Sequence, residues 1–142
     1  MEAERCRIHK LVADICLLAE GKVLLVRYRD VRKYDGETGW FLPDDYLQHL
    51  EHPDEGARRI LQDQAGVTPP PVGLSHIESF EGNGFWHLIF HYKAELARAE
   101  EVPLQGNIMA AQWFPLSALP APEEVAHGGW GLDTIQKILS DQ

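Results

Sequence analysis

Pro53 and Gly66 bracket the segment that most restricts what this chain can fold into. A proline suits the first position of a helix, where its missing N–H is not needed, and a glycine just past the end accepts a left-handed cap. Asp54 and Glu55 fall in the first turn, where the positive end of the helix dipole favours carboxylates. The spacing predicts a helix over this span, preceded by the acidic run LPDDYLQHLEH and by a short strand at Trp40, Phe41 and Leu42. From Gly39 to Val67 the chain therefore reads strand, tight acidic loop and helix, with the loop and one helix face side by side. On that helix Ala57, Leu61 and Ala65 recur at i, i+4 and i+8 as a core stripe. Ile60, Asp63 and Gln64 share a second face turned towards the acidic loop.

A helix of this kind needs a sheet to cover, and the remaining sequence supplies strands. Leu11 to Leu18, the turn at Glu20-Gly21 and Val23 to Tyr28 read as a hairpin rich in Val, Leu and Ile. After the proline run Pro69 to Pro71, Leu74 to Phe80 reads as a strand, joined through Glu81-Gly82-Asn83-Gly84 to an alternating strand from Phe85 through Leu96. The alternation places Trp86, Leu88, Phe90 and Tyr92 on one face and His87, Ile89, His91 and Lys93 on the other. His87 and His91 either bind a metal or shuttle protons, or are half-exposed strand residues; the second reading is the default. Ile108 to Phe114 is a further strand, and Leu132 to Leu139 a final amphipathic helix with Asp133 and Thr134 near its start.

Thirteen Lys and Arg against twenty-two Asp and Glu leave a formal charge of −9, which opposes binding to duplex nucleic acid or an anionic membrane surface. An anionic ligand then needs a metal ion or a local basic cluster. The densest such cluster is Arg27, Arg29, Arg32 and Lys33, which either grips a phosphate or forms an ordinary solvated loop. Cys6 reads as a free tail thiol and Cys16 as a core thiol, with no metal or disulfide spacing. With no apolar leader and no apolar run long enough to span a bilayer, the expectation is one cytoplasmic domain over residues 1–142. Strands interspersed with one central and one terminal helix predict an α/β fold, a mixed sheet covered by helices.

The segment around Pro53 resembles the Nudix box of the Nudix hydrolases, G-x5-E-x7-R-E-U-x-E-E-x-G-U with U aliphatic, commonly preceded by a W-x-L-P run. Trp40, Leu42 and Pro43 match the lead-in, Glu51 the first glutamate, Arg59 the arginine, Leu61 the aliphatic position, and Gly66 and Val67 the end. The hairpin before the box, the aromatic strand after it and the run Gln112-Trp113-Phe114-Pro115 resemble the usual layout, so nearly the whole chain is covered. The resemblance implies a Nudix-type α/β/α sandwich around a mixed β-sheet. It also implies a metal-dependent hydrolase acting on a nucleoside diphosphate linked to another moiety, with Mg2+ or Mn2+ held by the glutamate after the arginine and the following glutamate pair. In this chain those three positions are Ile60, Asp63 and Gln64, and Asp44-Asp45 stands where the family usually has Gly-Gly.

One carboxylate of three remains, so two functional readings stand. In the first, Asp63 with Asp44, Asp45 or Glu55 forms a relocated, weaker cation site, Glu51 and Arg59 brace the loop against the helix, and Arg27, Arg29 and Trp86 contact a nucleotide-like small molecule. In the second, the fold is a binding module for such a molecule or for a protein, and Mg2+ or Mn2+ binding is weak or absent. A homodimer is compatible with either.

Overall fold

A computed structural model gives the fold and describes residues 9–140. Its elements are β1 (His9–Ala19), β2 (Lys22–Tyr28), β3 (Asp44–Tyr46), α1 (Pro53–Ile60), β4 (Val72–Gly82), β5 (Phe85–Glu95), β6 (Ile108–Pro115) and α2 (Ala126–Ser140). The expectation for Cys6 lies outside the described residues. Among those residues, no helix is long and apolar enough to cross a membrane.

The strands form one mixed sheet in the order β4-β5-β1-β2-β6, with β3 also paired to β1. β1 and β5 run parallel and the other pairs antiparallel. Helices cover both faces. Ala57, Ile60, Leu61 and Ala65 of α1 and its extension pack with Ile15, Leu24 and Tyr92. On the opposite face Ile135 and Ile138 of α2 pack with Cys16, Val23 and Leu25. This is the expected α/β/α sandwich, and alternation along each strand decides which side chain meets which helix.

The expected hairpin is present, but β1 and β2 pair only beside their turn, at Leu18 with Val23 and Ala19 with Lys22. Beyond that point the strands splay, and the segment from Trp40 to Tyr46 fills the gap. Phe41 exchanges both backbone hydrogen bonds with Val26 of β2, after which Asp44, Asp45 and Tyr46 pair with Asp14, Ala13 and Val12 of β1. The strand expected at Trp40 to Leu42 is thus reduced to single bridges, and the expected acidic loop is itself a strand. Pro43 is the reason: it has no N–H to donate, so pairing breaks there and resumes on the other neighbour.

α1 starts as its sequence predicts. His52 Nδ1 accepts a hydrogen bond from the Asp54 N–H at 3.0 Å, Pro53 follows, and a wider π-type turn over Leu61–Ala65 ends at Gly66 with φ of 67°. The division of the helix into two faces is corrected: Ala57, Ile60, Leu61, Gln64 and Ala65 are buried together as one stripe, with Asp63 outside it. Those five residues follow the i, i+3, i+4, i+7, i+8 pattern of a single core face. α2 holds His127, Gly128 and Gly129 at positive φ in its first turn, so its regular part runs from Trp130.

Candidate functional site

Arg59 is the hub of the junction between β3 and α1. Its Nε donates to Glu51 Oε2 at 2.8 Å and its Nη2 to Glu51 Oε1 at 3.0 Å, and Nη2 also donates to the Tyr46 carbonyl at 3.0 Å. This forked contact holds the Glu51 carboxyl below its ordinary range, aided by the Gln48 N–H. Gly56 makes room for it, since a Cβ there would stand 2.4 Å from Leu47 Cδ2 and 3.0 Å from Glu51 Oε1. The remaining guanidinium nitrogen, Nη1, lies 3.7 Å from Asp45 Oδ2 and 3.8 Å from Asp63 Oδ2. Asp45 also accepts from Lys33 Nζ at 2.8 Å.

One turn further along, Gln64 is inserted between the helix and β3. Its Nε2 donates to the Asp44 carbonyl at 2.8 Å, and Tyr28 OH donates to its Oε1 at 2.7 Å. Tyr34 OH donates to the same Asp44 carbonyl at 3.1 Å. A divalent cation such as Mg2+ needs several oxygen ligands free to point at it. Here the Asp44 carbonyl faces hydrogen donors, both ends of the Gln64 amide are satisfied, Ile60 is fully buried in the core, and Asp45 and Asp63 face a guanidinium. The residues at the box positions do not fit a hard cation. Glu55 and Asp63 are exposed, and no three of Asp44, Asp45, Glu55 and Asp63 bring ligand atoms close together. Among the described residues, the one cluster of three or more side chains with metal-binding atoms close together is His76, Glu78 and His91.

Part of the open space lies on the α2 face of the sheet. A cleft of about 490 Å³ is lined by Val12, Asp14, Lys33, Tyr34, Asp44, Asp45, Tyr46, Glu78, Phe80, His87, Ile89, His127, Trp130 and Asp133, among others. Burial, reinforced by the negative charges of Asp14 and Asp45, pushes the Asp44 carboxyl well above its ordinary range. Trp130 meets Phe80 edge-on at 5.8 Å, and Phe80 stacks on His87 at 4.9 Å. The cleft therefore joins aromatic faces to carboxylate acceptors, and Lys33 is its single Lys or Arg side chain.

Three residues expected to contact ligand lie elsewhere. Arg27 sits over the Trp40 ring at 4.4 Å and Arg29 reaches the Ile108 carbonyl at 3.4 Å, on the β6 side of the sheet. Trp86 alternates with His87 and so belongs to the other face, where its Nε1 donates to Ser79 Oγ at 2.8 Å. The residues missed by sequence reasoning are Trp130 in the cleft and the partners of His91. His91 is fully buried, not half-exposed, with Nδ1 at 2.6 Å from Asp14 Oδ1 and Nε2 at 2.6 Å from Glu78 Oε1. Burial alone would lower its pKa, but the two carboxylates outweigh that and raise it.

The profile of the NUDIX domain matches residues 8–132. No curated protein matches the sequence. Among solved structures, the chain is similar to the MutT NUDIX hydrolase of Burkholderia pseudomallei, at 19% identity and a TM-score of 0.72, covering 90% of this chain and 96% of that one. It is similar to the NUDIX domain of Shewanella oneidensis NrtR complexed with ADP ribose, at 18% identity and a TM-score of 0.72, covering 98% and 90%. A third likeness is to an Ap4A hydrolase of C. elegans, at 16% identity and a TM-score of 0.68, covering 94% and 99%.

Proposed function

We infer that this chain, which belongs to the NUDIX domain family, is a binding module that holds a nucleotide-like small molecule in the cleft of the α2 face without a Mg2+ or Mn2+ ion on α1. The observation that carries the reading is the Gln64 amide, which donates to the Asp44 carbonyl and occupies the approach a cation would use. The guanidinium of Arg59 does the same work electrostatically beside Asp45 and Asp63. Glu51 and Arg59 are then positioning residues that brace β3 on α1.

The cleft suits the nucleoside end of such a ligand better than its phosphates. A base stacks on an aromatic face for about 1–3 kcal/mol, and Phe80 and Trp130 offer such faces. Ribose hydroxyls and an exocyclic amine are donors that match Asp14, Glu78 and Asp133. A diphosphate would meet mostly carboxylates there, with Lys33 alone in its favour.

A second reading, a Mg2+- or Mn2+-dependent hydrolase of a nucleoside diphosphate linked to another moiety, draws on the family and on Asp45 and Asp63. These lie 3.7 and 3.8 Å from the same Arg59 nitrogen, so rotation of that side chain would leave two carboxylates facing one space. The two readings separate in one experiment. Calorimetric titration with ADP-ribose and with adenosine, in chelator, is expected to give binding of both that is lost in Trp130→Ala, with no cleavage products after adding Mg2+ or Mn2+. Metal-dependent cleavage that disappears in Asp63→Ala would establish the hydrolase instead.

A further inference from the structure

β4 and β5 carry a second constellation, on the sheet face away from α1. His91 lies between two carboxylates, 2.6 Å from Asp14 on one side and 2.6 Å from Glu78 on the other. The His76 ring packs against the His91 ring with centroids 4.5 Å apart. One ligand atom from each of His76, Glu78 and His91 falls within 4.8 Å of the others.

The backbone assembles this group from three strands. Asp14 is the parallel partner of His91 across β1 and β5. His76 is the antiparallel partner of His91 only because the register shifts between Leu74 and His76. In an uninterrupted ladder Ser75 would face His91 and His76 would turn to the α1 face. The extra residue re-aims His76 and, two residues on, Glu78 onto the His91 side, a use of bulges that recurs beside functional sites.

At 2.6 Å the His91 Nε2 and a Glu78 oxygen share a proton, which a metal ion would displace from that nitrogen. Asp14 takes the hydrogen on Nδ1 and so leaves Nε2, the nitrogen that faces Glu78, as the one a metal would use. A carboxylate behind a histidine is the usual support of a ligating imidazole. We propose that His76, Glu78 and His91 bind a transition-metal ion of the zinc class, with Asp14 orienting His91, at a site separate from the box helix.

Two imidazoles and one carboxylate suit Zn2+ or Co2+ better than Mg2+, which prefers oxygen. Bonds of about 2.0–2.1 Å in a tetrahedral site keep ligand atoms about 3.3 Å apart, so Glu78 must open from His91 by about 0.7 Å. Glu78 is 35% exposed and free to do so, whereas His91, with no exposure, is the fixed anchor. Three protein ligands leave a fourth position for water or a ligand atom. Glu78 and Asp14 also line the cleft, so the ion would lie beside it. Glu78 and Asp14 would serve both the ion and a nucleoside in the cleft, so metal binding is read with no nucleoside present.

The test uses the untagged 142-residue chain, stripped of metal with chelator and titrated with Co2+ followed by Zn2+, reading visible Co2+ absorption and calorimetric stoichiometry. One equivalent is expected, with the band of a low-coordinate Co2+ site that Zn2+ removes. His76→Ala and Glu78→Gln, at partly exposed positions, should each weaken binding by more than tenfold, and Asp14→Asn by about 10–100-fold. Asp63→Asn should leave it unchanged. Absence of binding to the wild type at hundreds of micromolar metal would overturn the proposal. So would binding that persists in both His76→Ala and Glu78→Gln, which would mark surface histidines such as His49 and His52 as the ligands.

Discussion

Replacing Gln64 by glutamate restores the residue of the family pattern and removes the donor that this fold depends on. The Gln64 Nε2 lies 2.8 Å from the Asp44 carbonyl oxygen, and a carboxylate oxygen in its place would set two acceptors against each other. The lost hydrogen bond costs about 1 kcal/mol and the poorly solvated carboxylate about 1–3 kcal/mol more, while the Tyr28 hydroxyl continues to donate to it. For a chain of this length a total of about 3 kcal/mol lowers Tm by about 10 °C at neutral pH in chelator. Burial raises the pKa of the introduced carboxyl in the folded state, so its penalty is present above that pKa and fades as pH falls towards the unfolded value, where the acid O–H donates to the Asp44 carbonyl. Millimolar Mg2+ is expected to restore part of the lost Tm in Gln64→Glu and to leave the wild type unmoved. Thermal melts of both proteins at neutral and acid pH, with chelator and with Mg2+, provide the assay. A variant as stable as the wild type in chelator at neutral pH would refute the reasoning, as would a wild type that Mg2+ stabilises equally.

Glu51→Gln should cost about 2 kcal/mol at neutral pH, because the fork to Arg59 loses its charge. Since Arg59 holds the Glu51 pKa down, its contribution is present above the unfolded value near pH 4.3 and lost as pH falls through the lower folded value. Denaturant melts should therefore show a shallower acid loss of stability below about pH 4 in the variant than in the wild type. In Gly56→Ala the new methyl meets Leu47 and Glu51, and overpacking of about 1–3 kcal/mol outweighs a helix-propensity gain of about 1 kcal/mol. The expected result is a lower denaturation midpoint; a higher one would show that Leu47 moves aside freely. Trp86→Ala and Arg29→Ala, both outside the cleft, should leave the affinity for ADP-ribose unchanged in the titration that Trp130→Ala abolishes.

The parts of the fold that local chemistry determines were legible in the sequence. Pro53 and Gly66 bound the helix, Glu20-Gly21 turns the first hairpin, and the alternation from Phe85 separates the two faces of β5 correctly. The strand at Asp44 to Tyr46 was not legible, because it exists only where β1 and β2 splay apart and Pro43 hands the pairing from one to the other. Ile60 and Asp63 share one turn and so suggest a common face, although the single stripe from Ala57 to Ala65 carries the signal. A glutamine at the i+7 position of that apolar stripe was the clue that Gln64 is buried and fully bonded. His91 looked half-exposed for a different reason. Its partners Asp14 and Glu78 come from other strands, one of them 77 residues away, and no local pattern encodes that meeting.

The claim that the box helix holds no cation is tested most directly by anomalous scattering from crystals soaked in Mn2+ with ADP-ribose. The expected map shows no Mn2+ within coordination distance of the Asp44 carbonyl, Asp63 or Gln64, whatever else binds the ion. A peak there, with Gln64 turned away from Asp44 and Arg59 withdrawn from Asp63, would contradict the account.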